Sequence, residues 1–206
     1  MERYSAYNLI PYNWVENYHG TQYPVQVAAL FAMTAHAAAG NSYDNQPYEL
    51  HLKQVVKLIG DYACDIDPLN DYTWPDLGTG MSTLTKRTRL VQAGWLHDVI
   101  EDTGIKYNDV NLIFGKDVAD WVWNVTDERG VNREDRFRKT LPKIRSCEES
   151  RYIKLCDRIA NVEYSIEHPG PLLDMYMKGL PKFIEVMFPN HMLPMERLRK
   201  RLKSLL

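Results

Sequence analysis

An all-α fold is predicted by three observations. Apolar residues recur at helical spacing along most of the chain, no segment alternates as a half-buried strand does, and clusters of Gly, Pro, Asn and Asp fall between the periodic segments. With 206 residues the chain is long enough for one sizeable core and short for two. Residues 1–206 are therefore expected to form a single domain, with at most a minor hairpin besides the helices.

The first helix is expected in PVQVAALFAMTAHAAA, 24–39, where Pro24 suits an opening turn and Gly40 a stop. A polar turn, GNSYDNQ, leads to Pro47 and a second helix in YELHLKQVVKLIGDYA, with Leu50, Val55, Val56, Leu58 and Ile59 at helical spacing. The stretch 65–82 is dense in Asp, Pro, Gly and Asn and reads as an irregular surface loop, long enough to serve a pocket or an interface. TLTKRTRLVQAGWLHDVIED, 83–102, reads as one continuous helix ended by Thr103-Gly104. Helices at 107–114 and 116–126 follow, and the turn Asp127-Glu128-Arg129-Gly130 precedes a basic helix through 145. SCEESRYIKLCDRIANVEYSI opens on a Ser and two carboxylates, as a helix N-terminus prefers, and continues to 166. Beyond His168-Pro169-Gly170-Pro171, helices are expected at 172–188 and 194–206.

A net charge of −2 excludes a globally basic surface, so neither nucleic acid nor an anionic membrane is an expected partner, and self-association is left open. No window is long and apolar enough to span a bilayer. MERYSAYNLIPYNWVENYHG lacks the basic-then-apolar order of a secretory signal, which leads to a cytoplasmic expectation. Cys64, Cys147 and Cys156 are odd in number and form no CxxC pair, so three reduced thiols are expected.

Two segments carry chemistry. On one helix His97, Asp98, Glu101 and Asp102 fall at roughly 0°, 100°, 40° and 140°, a shared face opposite Leu96, Val99 and Ile100. Positions three or four residues away supply almost no Lys or Arg, so this is a poor candidate for a solvated, salt-bridged face. Four mutually repulsive groups, half-buried beside Ala93 and Trp95, are a state that a bound cation relieves. In RYIKLCDRIANVEY, Lys154, Asp157, Arg158 and Asn161 form a polar stripe between apolar neighbours, which an ordinary helical ion pair would also explain. His51, between Leu50 and Leu52, reads alone as a core histidine. Together His51, His97, Asp98 and Asp157 supply two imidazoles and two carboxylates, a mixed shell suited to manganese, iron or zinc.

At these residues the chain resembles the HD superfamily, and within it the hydrolase domain of RelA/SpoT-type alarmone enzymes and their small single-domain relatives. QPYELHLKQV is similar to the family's PYxxHPxxV segment, WLHDVIEDTG to its HDxxEDT box, IFGKDVADWVWNVTDE to its FGxxVxxLVxxVT helix and YIKLCDRIANV to its KLADRxxN box. The segments keep the family's order. The resemblance implies an all-α hydrolase of the stringent response that binds one divalent ion, commonly manganese, and removes the 3′-pyrophosphate from ppGpp or pppGpp. It implies metal ligands at His51, His97, Asp98 and Asp157, with Glu101 and Asp102 orienting or activating the water or assisting the leaving group. Asn161 would contact ribose or phosphate. Lys154, Arg158, or a basic helix holding Arg133, Arg136, Arg138, Lys139 and Lys143 would meet charge on the phosphorus oxygens.

Ser42-Tyr43 stand where the family carries an Arg-Lys pair used against guanine. This leaves the base open between guanine and adenine, as in ppApp, with Tyr43 a candidate to stack on it. Two other functions remain: an HD nucleotidase acting on 5′-phosphates, and a non-catalytic module that binds a nucleotide or, through MERLRKRLKSLL, a protein. Leu198, Leu202 and Leu205 give that last segment a stripe suited to ordinary packing.

Overall fold

A computed structural model describes residues 24–63, 66, 86–188 and 195–206. Among these residues the chain is helical apart from one small hairpin, as the apolar spacing predicts. The hydrophobic residues buried at its centre form one contiguous cluster. The loop expected at 65–82 lies outside the described residues except for Ile66, as do 83–85.

Helix α1 (Pro24–Ala39) buries Val27, Ala28, Phe31, Ala32 and Ala35, an i, i+4, i+8 stripe with its neighbours. It ends at Gly40, whose φ of 75° is the left-handed backbone that glycine adopts freely. Strands β1 (Ser42–Tyr43) and β2 (Gln46–Pro47) pair antiparallel. Asp44 and Asn45 between them have φ of 50° and 61°, the two positive dihedrals of a tight hairpin turn. This hairpin delivers the chain into α2 (Glu49–Tyr62), whose inward face carries His51, Leu52, Val55, Leu58 and Ile59.

Helix α3 (Lys86–Leu96) is buried without interruption from Gln92 to Leu96 because it packs against both α1 and α2. Its approach to α2 is close: a Cβ on Gly94 would run into Ile59 Cδ1 and stand 3.3 Å from Val56 Cγ2. The long helix expected over 83–102 is broken. α3 stops at Leu96, and α4 (Val99–Asp102) restarts after a turn at His97-Asp98. His97 spends its Nδ1 hydrogen on Gly94 O at 2.8 Å, and Asp98 becomes the N-cap of α4, with its carbonyl accepting from Asp102 N at 2.9 Å.

Helices α5 (Tyr107–Phe114) and α6 (Lys116–Val125) pack on each other around Gly115, and α7 (Arg133–Ser146) is N-capped by Asn132, which accepts from Asp135 N at 2.9 Å. Helix α8 (Glu148–Glu167) is the central strut. It packs against α2, α6 and α7, and against α9 (Pro171–Met187) and α10 (Glu196–Lys203), and so buries residues on several sides. Ile153, Leu155 and Ile159 are fully buried, each contributing about 2 kcal/mol of transfer free energy. Leu198 and Leu202 of α10 are buried and Leu205 is packed against the core, so the C-terminal stripe serves packing. No described helix is long and apolar enough to cross a membrane.

Candidate metal centre

The consequence of the break at His97-Asp98 is chemical. Consecutive side chains on a continuous helix diverge by about 100°, whereas here His97 Nε2 and Asp98 Oδ2 lie 2.9 Å apart. From α2, His51 Nε2 comes within 3.2 Å of His97 Nε2 and 3.6 Å of Asp98 Oδ2. From α8, Asp157 Oδ1 stands 3.4 Å from His51 Nε2 and 3.9 Å from His97 Nε2. Thus all four residues singled out in the sequence converge: one ligand atom each of His51, His97 and Asp157 lie within 4.8 Å of one another, and Asp98 stands against both imidazoles. His51 and His97 are almost wholly buried.

These donors fit a divalent cation. Around an ion with bonds of roughly 2.1 Å, adjacent donor atoms stand roughly 3 Å apart, and the shortest distances here lie close to that. The bond from His97 Nδ1 to Gly94 O leaves the Nε2 lone pair facing the cluster. Without a cation, protons must hold the cluster together. Burial lowers the His51 imidazole, but hydrogen bonds donated to the Asp157 and Asp98 carboxylates outweigh it and raise it from 6.5 to about 9. Burial opposes ionisation of Asp157, yet the Lys154 ammonium 3.2 Å away and His51 hold its carboxyl well below the usual range.

His51, Asp98 and Asp157 line a cleft of about 270 Å³. Glu101 and Asp102 line it too. Glu101 Oε2 accepts the Asp127 amide at 2.9 Å, and burial raises its pKa against that bond. Burial and the charge of Asp98 raise the pKa of Asp102, partly offset by a hydrogen bond that it accepts from Tyr48. The Tyr48 hydroxyl lies 2.6 Å from Asp98 Oδ2 and 3.1 Å from Asp102 Oδ2, sharing one hydrogen between two carboxylates.

Lys154, Arg158, Arg133 and Arg136 also line the cleft and bring positive charge into it. The Arg133 and Arg158 guanidinium groups flank the Tyr176 ring, 5.2 and 5.3 Å from its centroid, and Arg158 also lies 4.2 Å from that of Phe183. The basic helix α7 is divided in use. Arg138 and Lys139 pair with Asp135, and Lys143 pairs with Glu128 at 2.7 Å, so these three serve as ordinary ion pairs.

Two candidate substrate contacts are already engaged. Tyr43 stacks on His51 with ring centroids 4.9 Å apart and donates its hydroxyl to Asn161 Oδ1 at 3.0 Å. Asn161 Nδ2 in turn donates to Asp157 Oδ1 at 2.5 Å. Both still line the cleft. Tyr48, Asp127, Phe137 and Tyr176 line it as well and are not singled out by spacing. Of these, only Tyr48 had a sequence signal, as the Tyr of the PYxxH segment.

The architecture is the all-α HD type. A solved structure of a metazoan orthologue of SpoT, described as hydrolysing ppGpp and acting in starvation responses, superposes with a TM-score of 0.66 at 20% identity, covering 90% of this chain and 94% of that one. In sequence the chain is 33% identical over 76 residues to the guanosine-3′,5′-bis(diphosphate) 3′-pyrophosphohydrolase MESH1 of Xenopus tropicalis, a match covering 36% of this chain and 42% of the relative. Against MESH1 of Drosophila melanogaster it is 35% identical over 74 residues, covering 35% and 41%. A probable guanosine-3′,5′-bis(diphosphate) 3′-pyrophosphohydrolase of Mycoplasma pneumoniae matches at 39% over 90 residues, covering 37% of this chain and 12% of the relative. The matched stretch thus spans less than half the length of these curated relatives. The resemblance read from the motifs is borne out by these relatives, and no family model matches the chain.

Proposed function

We propose that this protein is a metal-dependent pyrophosphohydrolase that removes the 3′-diphosphate, or a 3′-phosphate, from a purine alarmone nucleotide such as (p)ppGpp or (p)ppApp. The observation that carries the reading is the convergence of His51, His97, Asp98 and Asp157 at a cleft that Glu101, Asp102 and several cationic side chains also line. Similarity to relatives named for this activity supports the same substrate class.

His51 Nε2, His97 Nε2, Asp98 Oδ2 and Asp157 Oδ1 would hold the ion, which we take to be manganese. When bound, such an ion acts as a Lewis acid and lowers the pKa of the attacking water. Glu101, with one oxygen fixed by the Asp127 amide, keeps the other to take a proton from that water. Asp102, whose pKa is raised, is suited to give a proton to the departing oxygen. Lys154 and Arg158 meet the charge that develops on the phosphorus oxygens, and Arg133 and Arg136 extend the same field along the cleft. Asn161 and Tyr43 position Asp157 and His51, and face the nucleotide where they line the cleft.

The test is incubation with manganese and a panel of ppGpp, pppGpp, ppApp and NADPH. Release of pyrophosphate with a 5′-phosphorylated nucleotide is the expected result for the bisdiphosphates, and turnover of none of the panel would refute the reading. Products cleaved at the 5′ position would instead identify a 5′-nucleotidase.

A further inference from the structure

Behind the ion-binding cluster lies a closed circuit of contacts that the reaction proposed above does not use. His36 is 1% exposed and lies flat on the Tyr48 ring, with centroids 4.1 Å apart and planes 14° apart. Its Nδ1 accepts from Asn41 Nδ2 at 3.0 Å, and the same amide nitrogen donates to Asp102 O at 2.9 Å. Tyr48 completes the circuit through its hydroxyl on the Asp98 and Asp102 carboxylates. Because Nδ1 accepts, the His36 hydrogen is on Nε2 and the ring is neutral. Burial supports this, lowering its pKa to about 4.

The oxygen that Tyr48 grips is Asp98 Oδ2, the atom that faces both His97 Nε2 and His51 Nε2. The position of Tyr48 is in turn fixed by the chain that holds His51. It directly precedes α2, and its carbonyl accepts from His51 N at 3.1 Å. One phenol therefore sets the distance between a ligand carboxylate of the HD turn and the carboxylate one helical turn later, while its backbone anchors the imidazole opposite.

We propose that Tyr48 is a positioning residue that orients the Asp98 carboxylate toward the cation and spaces it from Asp102, and that the flat stack on His36 holds the phenol in place. The inference rests on the proposed function for its kinetic part and stands apart from it for its metal part. Hydrogen bonds to ligating groups commonly tune metal affinity or activity by about 10–100-fold.

The experiment is a manganese titration of metal-stripped wild-type, Tyr48→Phe, His36→Ala and His36→Phe proteins by electron paramagnetic resonance, with thermal melts and steady-state kinetics on ppGpp alongside. Tyr48→Phe keeps the stack and is expected to melt like the wild type, to bind manganese about tenfold more weakly, and to lose kcat about tenfold with KM little changed. His36→Ala is expected to weaken manganese binding about threefold, and His36→Phe, which retains a flat ring, to restore it. Tyr48→Phe with wild-type manganese affinity and kcat would overturn the proposal. Equal affinities for His36→Ala and His36→Phe would remove the stack from it. A wild type that binds manganese but cleaves no nucleotide refutes the proposed function alone, because the titrations still decide the role of Tyr48. A wild type that binds no divalent ion overturns both.

Discussion

His51 Nε2 and His97 Nε2 face each other across 3.2 Å, and each also faces a carboxylate oxygen. Two neutral imidazole lone pairs at that separation repel, so the arrangement is favourable only with a proton or a cation between the donors. The backbone supplies the constraint: α2 brings one ring and the turn after α3 brings the other, with α3 packed tightly on α2 at Gly94. A site of this kind is built by packing and relieved by a ligand.

Removing one donor should expose that debt. Asp98→Ala is expected to weaken manganese binding by roughly a hundredfold or more and to abolish turnover with it. Calorimetric titration with manganese beside a phosphate-release assay checks this, and retained turnover in the variant would exclude Asp98 as a ligand.

Glu101 is expected to behave differently because it stands beside the cluster rather than in it. Glu101→Gln keeps an oxygen for the Asp127 amide but gives up the carboxylate, so kcat should fall by about 10²–10⁴ while manganese affinity stays near wild type. Loss of manganese binding in this variant would place Glu101 among the ligands instead.

Chelated protein should show a specific pH response. Without a cation His51 is raised from 6.5 to about 9, so its protonated form contributes stability that is complete below about pH 6.5 and lost as pH rises through about 9. Melts in chelator should therefore drop across this window. With saturating manganese the drop should disappear, since the ion replaces the proton. A flat profile in chelator would contradict the proton-held cluster.

Gly94→Ala tests the approach of α3 to α2. The new methyl meets buried Ile59 Cδ1 and Val56 Cγ2, and overpacking of this kind costs about 1–3 kcal/mol. Because Gly94 O also holds His97 Nδ1, manganese affinity should fall along with the midpoint of chemical denaturation. A variant as stable as the wild type would show that α2 yields freely there.

Most helices were legible because burial on one side imposes a period that the sequence must carry. Val27, Phe31 and Ala35 mark α1, and Ile153, Cys156, Ile159 and Ala160 mark α8, with ends set by Pro24, Gly40 and Gly115. The break at His97-Asp98 was not legible. WLHDVIED keeps helical spacing through it, and the turn is held by a side-chain bond to Gly94 O and by packing on α2.

By itself the sequence determined the all-α class through periodicity, and it marked His51, His97, Asp98 and Asp157 as candidate donors through the PYxxH, HDxxED and KLxDRxxN spacings, because these are local regularities of one chain direction. Only the tertiary structure decided which polar residues share the cleft: Arg133 and Arg136 line it while Arg138, Lys139 and Lys143 are tied up in ion pairs, and Tyr43 is committed to His51 and Asn161. Tyr48 and His36 likewise acquire their place from contacts between α1, α2 and α4. Such pairings depend on distances across the fold between residues far apart in the chain, and no spacing along a helix encodes them.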